Sequence, residues 1–139
     1  MTLSHQKLLI KMLSGIVLGD KITDVLKDTT VPLHEVAGLL MRSKNGDAIR
    51  TVTRAMRKDP PLLSQWIDAL LTVLLSDDDR MVRSNTITTL ILLIEADDIP
   101  VSKERSIAEA LSQIALFESD REVWSAAQYA LSKLNGGKR

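Results

Sequence analysis

Cysteine is absent from this 139-residue chain, which excludes disulfide bonds, Cys-ligated metals, Fe–S clusters and any thiol nucleophile. Aromatic residues are scarce, 3% against 45% hydrophobic residues in all, so the core must be assembled from Leu, Ile, Val, Ala and Met. Sheets prefer aromatic and β-branched residues, and this palette favours helices. Net charge is also missing. Eighteen basic and eighteen acidic residues cancel, leaving no global field to draw nucleic acid or an anionic membrane. The halves differ slightly: residues 1–70 hold ten Lys/Arg and seven Asp/Glu, and residues 71–139 hold eight and eleven. No apolar run approaches the roughly eighteen residues of a membrane span, and Lys7 and Lys11 interrupt the apolar residues near the N-terminus, so no secretory core is read there. A soluble cytoplasmic protein that binds no membrane is the expectation. The length suits one domain, residues 1–139, able to bury roughly two-thirds of its unfolded surface.

What is present is helical periodicity, clearest from Asp59 to Ala96. Pro60 and Pro61 suit a first helical turn, where a missing N–H costs nothing, and Leu62, Leu63, Trp66, Leu70, Val73 and Leu74 then recur at helical spacing. Asp77-Asp78-Asp79 closes that helix and caps the next. The second helix carries two apolar stripes, Val82, Thr86, Leu90 and Leu93 on one side and Ile87, Ile91 and Ile94 on another. Such a helix must be covered from two sides, with Leu70 and Leu90 fully buried.

On either flank the pattern continues. Leu8, Leu9, Met12, Leu13, Ile16 and Val17 make one face of a first helix, and Ile22, Val25 and Leu26 line a short second one; residues 1–30 read as an N-terminal helical cover. Leu33, Val36, Leu39 and Leu40 point inward from the next helix, and after the turn Ser43-Lys44-Asn45-Gly46 a helix opening at Asp47 places Ile49, Val52, Thr53 and Met56 on one stripe. Beyond the loop Asp97-Asp98-Ile99-Pro100, a helix opening at Ser102 buries Ile107, Ala110, Leu111, Ile114 and Ala115, and Asp120 caps a last helix that ends at Asn135-Gly136-Gly137. No segment alternates with period two. The expected fold is all-α, with about seven or eight helices.

The chain also repeats itself. A shift of 41 residues lays Asp79-Arg80-Met81-Val82-Arg83-Ser84 over Asp120-Arg121-Glu122-Val123-Trp124-Ser125, and a shift of 33 puts Ile49-Arg50 under Val82-Arg83, with Gly46 where the capping Asp stands. Three helical hairpins result, at 32–58, 60–96 and 102–135. Helix pairs recurring at about forty residues are the signature of an α-solenoid. The sequence resembles the HEAT-repeat family of armadillo/HEAT solenoids, in the form where Asp-x-x-Val-Arg opens the second helix: Asp79-Arg80-Met81-Val82-Arg83, with a degraded copy at Asp120-Arg121-Glu122-Val123-Trp124. The resemblance implies a short right-handed stack of about three hairpins. It further implies that Asp79, Arg83 and Asp120 support turns and neighbouring repeats, and that the fold serves as a binding surface. Where Ile87, Ile91 and Ile94 stand in the central repeat, the last has Gln128, Ser132 and Asn135; a polar outer face marks a terminal cap.

Few residues suggest chemistry. Arg42, Lys44, Arg50, Arg54, Arg57 and Lys58 crowd around one acid, Asp47, and Arg50, Arg54 and Arg57 share a helix face at i, i+4 and i+7. That stripe is a solvated face or is paired internally with Asp77–Asp79, or it is a site for an acidic protein segment or for phosphates. Aromatics interleaved with the basic residues, which would favour nucleic acid, are lacking. The clusters Asp77–Asp79 and Glu95/Asp97/Asp98 lack the ligand spacing of a calcium loop and sit at helix ends, where carboxylates are favoured anyway. His5 and His34 belong to no HExxH motif or Ser/His/Asp grouping, and Gly136-Gly137 precedes no helix. Trp66 reads as core. Trp124, at the margin of an apolar stripe, is either half-buried packing or an aromatic anchor for a partner. No catalytic residue, metal or cofactor site emerges. The leading expectation is a non-catalytic module presenting the second helices of its hairpins to another protein, as a monomer or weak homo-oligomer. The alternative is nucleic-acid or polyanion binding through Arg50, Arg54, Arg57 and Lys58.

Overall fold

A computed structural model of the protein describes residues 32–43 and 46–136. The N-terminal cover read at 1–30 lies outside them. Among the described residues there are six helices and no strand: α1 (Leu33–Arg42), α2 (Gly46–Arg57), α3 (Pro60–Ser76), α4 (Arg80–Glu95), α5 (Val101–Phe117) and α6 (Arg121–Gly136). The class is all-α, and no described helix is long and apolar enough to cross a membrane. Contacts among the described residues gather into two compact units, and the division falls inside α3, between Ala69 and Leu70.

In the first unit α1 packs on α2. Val36, Ala37, Leu40 and Met41 of α1, and Ile49, Val52 and Met56 of α2, are buried at the spacing that one inward face requires. Leu33 and Leu39 are only half-buried. The first turns of α3 add Leu62, Leu63, Trp66 and Ile67 to the core. The indole N–H of Trp66 and the Thr53 hydroxyl are buried without a hydrogen-bond partner among the described residues; for Trp66 the large apolar area of the ring offsets that cost.

In the second unit α6 packs on both α4 and α5. Leu70, Val82, Ile87, Leu90, Leu93, Ile107, Leu111, Val123 and Ala127 are essentially inaccessible. Two threonines share that interior because their hydroxyls turn back on the helix: Thr86 Oγ1 donates to the Val82 carbonyl at 2.7 Å and Thr89 Oγ1 to the Asn85 carbonyl at 2.8 Å, so each presents its methyl group to the core. The second stripe of α4 is shallower than its spacing suggests, with Ile87 buried but Ile91 and Ile94 half-buried. Ala115 is likewise half-buried. On α6, Gln128, Ser132 and Asn135 are exposed.

Helix ends follow local chemistry. Helix α5 opens at Val101, one residue before the expected Ser102, because Pro100 at ψ 139° stands outside the helix as its cap and its carbonyl accepts the Lys103 N–H at 2.9 Å. Helix α4 closes in a Schellman motif: the Asp98 N–H donates to the Leu93 carbonyl at 3.0 Å and the Asp97 N–H to that of Ile94 at 3.1 Å. Asp97 occupies the left-handed position at φ 58°, where glycine has no Cβ penalty. Asp97→Gly is expected to stabilise the fold by about 0.5–1 kcal/mol, read as a higher urea midpoint. A lower midpoint would mean that the aspartate side chain itself holds the turn.

Candidate functional site

Two turns in the second unit are built alike. In the α3–α4 turn Asp79 Oδ1 accepts the Met81 N–H at 2.8 Å, while Asp77 Oδ1 accepts the N–H of Asp79 itself at 2.9 Å. In the α5–α6 turn Asp120 Oδ1 accepts the Val123 N–H at 3.1 Å, and Glu118 Oε2 accepts the Asp120 N–H at 3.0 Å. Each turn thus has one acid capping the following helix and a second acid, two residues earlier, capping the cap. The 41-residue repeat is therefore a repeat of turn chemistry as well as of apolar spacing.

Arg83 ties these turns together. Its Nε and Nη2 donate to Glu118 Oε1 and Oε2 at 2.7 and 3.0 Å, and its Nη1 donates to the Asp77 carbonyl at 3.1 Å. The fork is bidentate and nearly closed to water, with 16% of the arginine side chain and 4% of the glutamate side chain accessible. The hydrogen bond from Arg83, helped by the Asp120 N–H, holds the Glu118 carboxyl below the usual glutamate range against the opposing effect of burial. The same bond raises the Arg83 guanidinium. Asp120 is held low first by the Val123 N–H and then by Arg80, whose Nη1 donates to Asp120 Oδ2 at 3.1 Å. That contact joins the N-terminal ends of α4 and α6. Farther along, the Tyr129 hydroxyl donates to Glu95 Oε1 at 3.4 Å, so the two helices run side by side in the same direction.

Beside the clamp opens a groove of about 300 Å³, lined by Leu74, Leu75, Ile114, Phe117, Arg83 and Glu118 among others. At its rim apolar side chains stand exposed among polar groups. Leu75 is 47% exposed and Phe117 80%, and the neighbouring Leu116 is 77% exposed. Sequence reasoning singled out none of these residues. Seven residues after the buried Ala110, Phe117 falls by periodicity within about 20° of the same direction, yet it is the last residue of α5 and stands clear of the packed layer. Glu118 also escaped notice, although the 41-residue shift that aligns Asp79 with Asp120 lays it over Asp77.

The basic stripe belongs to the first unit. Arg50, Arg54, Arg57 and Lys58 are all exposed. Arg50 Nη2 pairs with Asp47 Oδ1 within α2. No ion pair of Arg54 or Lys58 occurs among the described residues. Trp124 is 42% exposed, and its indole N–H donates to the Ala115 carbonyl at 3.0 Å, which pins the ring against the end of α5. Lys133 Nζ lies 5.5 Å over the Tyr129 ring. His34 is exposed, and His5 lies outside the described residues. Among the described residues no group of three or more His, Asp and Glu is placed to hold a metal ion.

Comparison with protein-family models, with curated protein sequences and with solved structures found no match to this chain.

Proposed function

We propose that this protein is a non-catalytic protein–protein interaction module, built of HEAT-like helical hairpins stacked as a short α-solenoid. What supports the stack is the side-by-side course of α4 and α6 and the turn chemistry shared by the α3–α4 and α5–α6 hairpins. The observation that carries the function is the exposure of Leu75 and Phe117 on one groove, with Leu116 exposed next to Phe117 in sequence. Single exposed apolar residues need no explanation, whereas a leucine and a phenylalanine exposed together at one groove of a well-packed unit suit a surface that a partner covers. On this reading the surface is the turn end of α3 and α5, whereas the sequence suggests the second helices of the hairpins. Aromatic side chains such as Phe117 are enriched at the core of interfaces, with polar groups around them. Affinity capture with the purified protein, followed by reconstitution of the complex from purified components, tests the reading. Phe117→Ser is expected to weaken the reconstituted complex at least tenfold while leaving the helical signal and urea midpoint unchanged. An unaltered affinity would remove the loop-end surface from the interface.

A second reading rests on the exposed stripe Arg50, Arg54, Arg57 and Lys58, which suits phosphates. Three to five such contacts to duplex DNA would give an affinity falling with salt at a log–log slope of about −0.9 per contact. Because the net charge is zero and Arg50 is already paired, we expect no binding of labelled single- or double-stranded oligonucleotides even at low salt. Tight binding, abolished in a folded Arg50/Arg54/Arg57→Glu variant, would put this reading first.

A further inference from the structure

The electrostatics of the groove narrow the kind of partner that fits it. Two helices, α3 and α5, end at its rim, Leu74 and Leu75 coming from the last turn of one and Ile114 and Phe117 from the last turn of the other. The C-terminal end of a helix carries a partial negative charge, normally offset by a Lys, Arg or His in the last turn. Neither α3 nor α5 has a basic residue there. The carboxylates add to this field. Asp77 and Glu118 line the groove and Asp78 is exposed in the same turn, against one lining cation, Arg83. Arg83 and Glu118 neutralise each other in their fork, and a third Arg83 donor goes to the Asp77 carbonyl, so the excess negative charge is that of Asp77 and Asp78 with the end of α5. The site therefore combines exposed apolar side chains, Leu75 and Phe117, with an excess of negative charge.

We propose that the groove binds a cationic amphipathic helix of a partner protein, an apolar side chain seating against Leu75, Ile114 and Phe117 while a Lys or Arg about one turn away meets the carbonyl ends of α3 and α5 beside Asp77 and Asp78. This rests on the interaction-module reading and adds the chemistry of the partner. The pattern is the helix-in-groove mode, in which residues at i, i+3 and i+4 supply the anchors. Negative charge around the groove sets the sign of the occupant, and it opposes adsorption of this surface to an anionic bilayer. Rim charges act mostly on encounter rate and salt dependence, and the apolar anchor on residence time.

The test uses the full chain and three fluorescein-labelled synthetic helices of about fourteen residues with one backbone pattern: apolar Leu with Lys, apolar Leu with Glu, and Ser with Lys. The Leu/Lys helix is expected to bind at least tenfold more tightly than either of the others, and its affinity to fall several-fold from low to moderate salt. Phe117→Ser and Leu75→Ser should each weaken it about tenfold, and Asp78→Lys about threefold. Glu35→Gln, which removes an exposed acid on α1 in the other unit, should leave it unchanged. Equal binding of the Leu/Glu helix would overturn the cationic partner while leaving an interaction surface in place, so this failure is separable from that of the reading beneath it. Leu/Lys binding that survives Phe117→Ser and Leu75→Ser would overturn the groove. Self-association in sedimentation that is lost in Phe117→Ser would identify a second copy of the chain as occupant. Phe117-dependent binding to phosphatidylglycerol vesicles would identify a membrane, and either result overturns the proposal.

Discussion

Leu90→Ala is expected to destabilise the protein by about 2–5 kcal/mol, a large share of the total for a domain of this size. Leu90 sits in the middle of α4 with no accessible surface. Its helix is packed along α6, and Leu93, three residues on, and Thr86, four residues back, are equally buried. Truncation there removes the transfer free energy of the lost methyl groups and leaves a cavity that a rigid layer of Leu and Ile cannot close. Leu92, on the same helix but 44% exposed, supplies the comparison: Leu92→Ala should change stability by no more than about 0.5 kcal/mol. Urea titrations of the two variants give both numbers. A loss below about 1 kcal/mol at Leu90, or equal losses at the two sites, would show that the interior of the second unit is not packed as described.

Breaking the clamp should have the next largest effect. Glu118→Gln keeps the size of the side chain but leaves the enclosed Arg83 guanidinium without its counter-charge and takes an acceptor from the Asp120 N–H. Removing one partner of a buried pair costs about 3–5 kcal/mol. Here the pair borders an open groove, so about 1–3 kcal/mol is expected. Replacing both partners, as Arg83→Met with Glu118→Leu, should restore a good part of the loss, because no charge is then stranded. The pair also sets a pH dependence. Glu118 has its folded-state pKa lowered, so its stabilisation is fully present above the ordinary glutamate value of about 4.3 and disappears as pH falls from there through the lowered value. Glu118→Gln should therefore lose stability less steeply than the wild type as the solution is acidified below pH 4.3. Identical acid limbs for the two proteins would mean that the bond between Arg83 and Glu118 is not formed in solution.

The helices were legible because burial repeats. Val36 with Leu40, Ile49 with Val52 and Met56, and Val82 with Leu90 and Leu93 are spaced as one buried face requires, and all are buried. Asp79 and Asp120 were legible as caps because an acid before a helical run has one obvious use. Less could be seen of what depends on the third dimension. Ile67 and Thr89 are buried although they fall beside the stripes read from spacing, since the width of a buried face depends on how many neighbours a helix acquires. Asp97 takes the left-handed turn position that sequence rules assign to Gly or Asn. Glu118 meets a residue 35 positions away, and no local pattern announces such a pairing; only the internal repeat carried a trace of it. The exposure of Phe117 was hidden for the opposite reason. Its spacing is that of a core residue, and only the place where α5 stops puts it in water.

Hydroxyl-radical footprinting of the protein alone and in complex with its captured partner decides most directly which surface the protein uses. Phenylalanine and leucine side chains report their own accessibility by their oxidation rate, so Phe117, Leu116 and Leu75 serve as built-in probes. Strong protection of Phe117 and Leu116 in the complex, with oxidation of Met81 and Tyr129 unchanged, is the result that an interaction module working through its apolar loop end predicts. Protection confined to the segment around Arg50–Lys58, with Phe117 oxidised at the same rate free and bound, would contradict it.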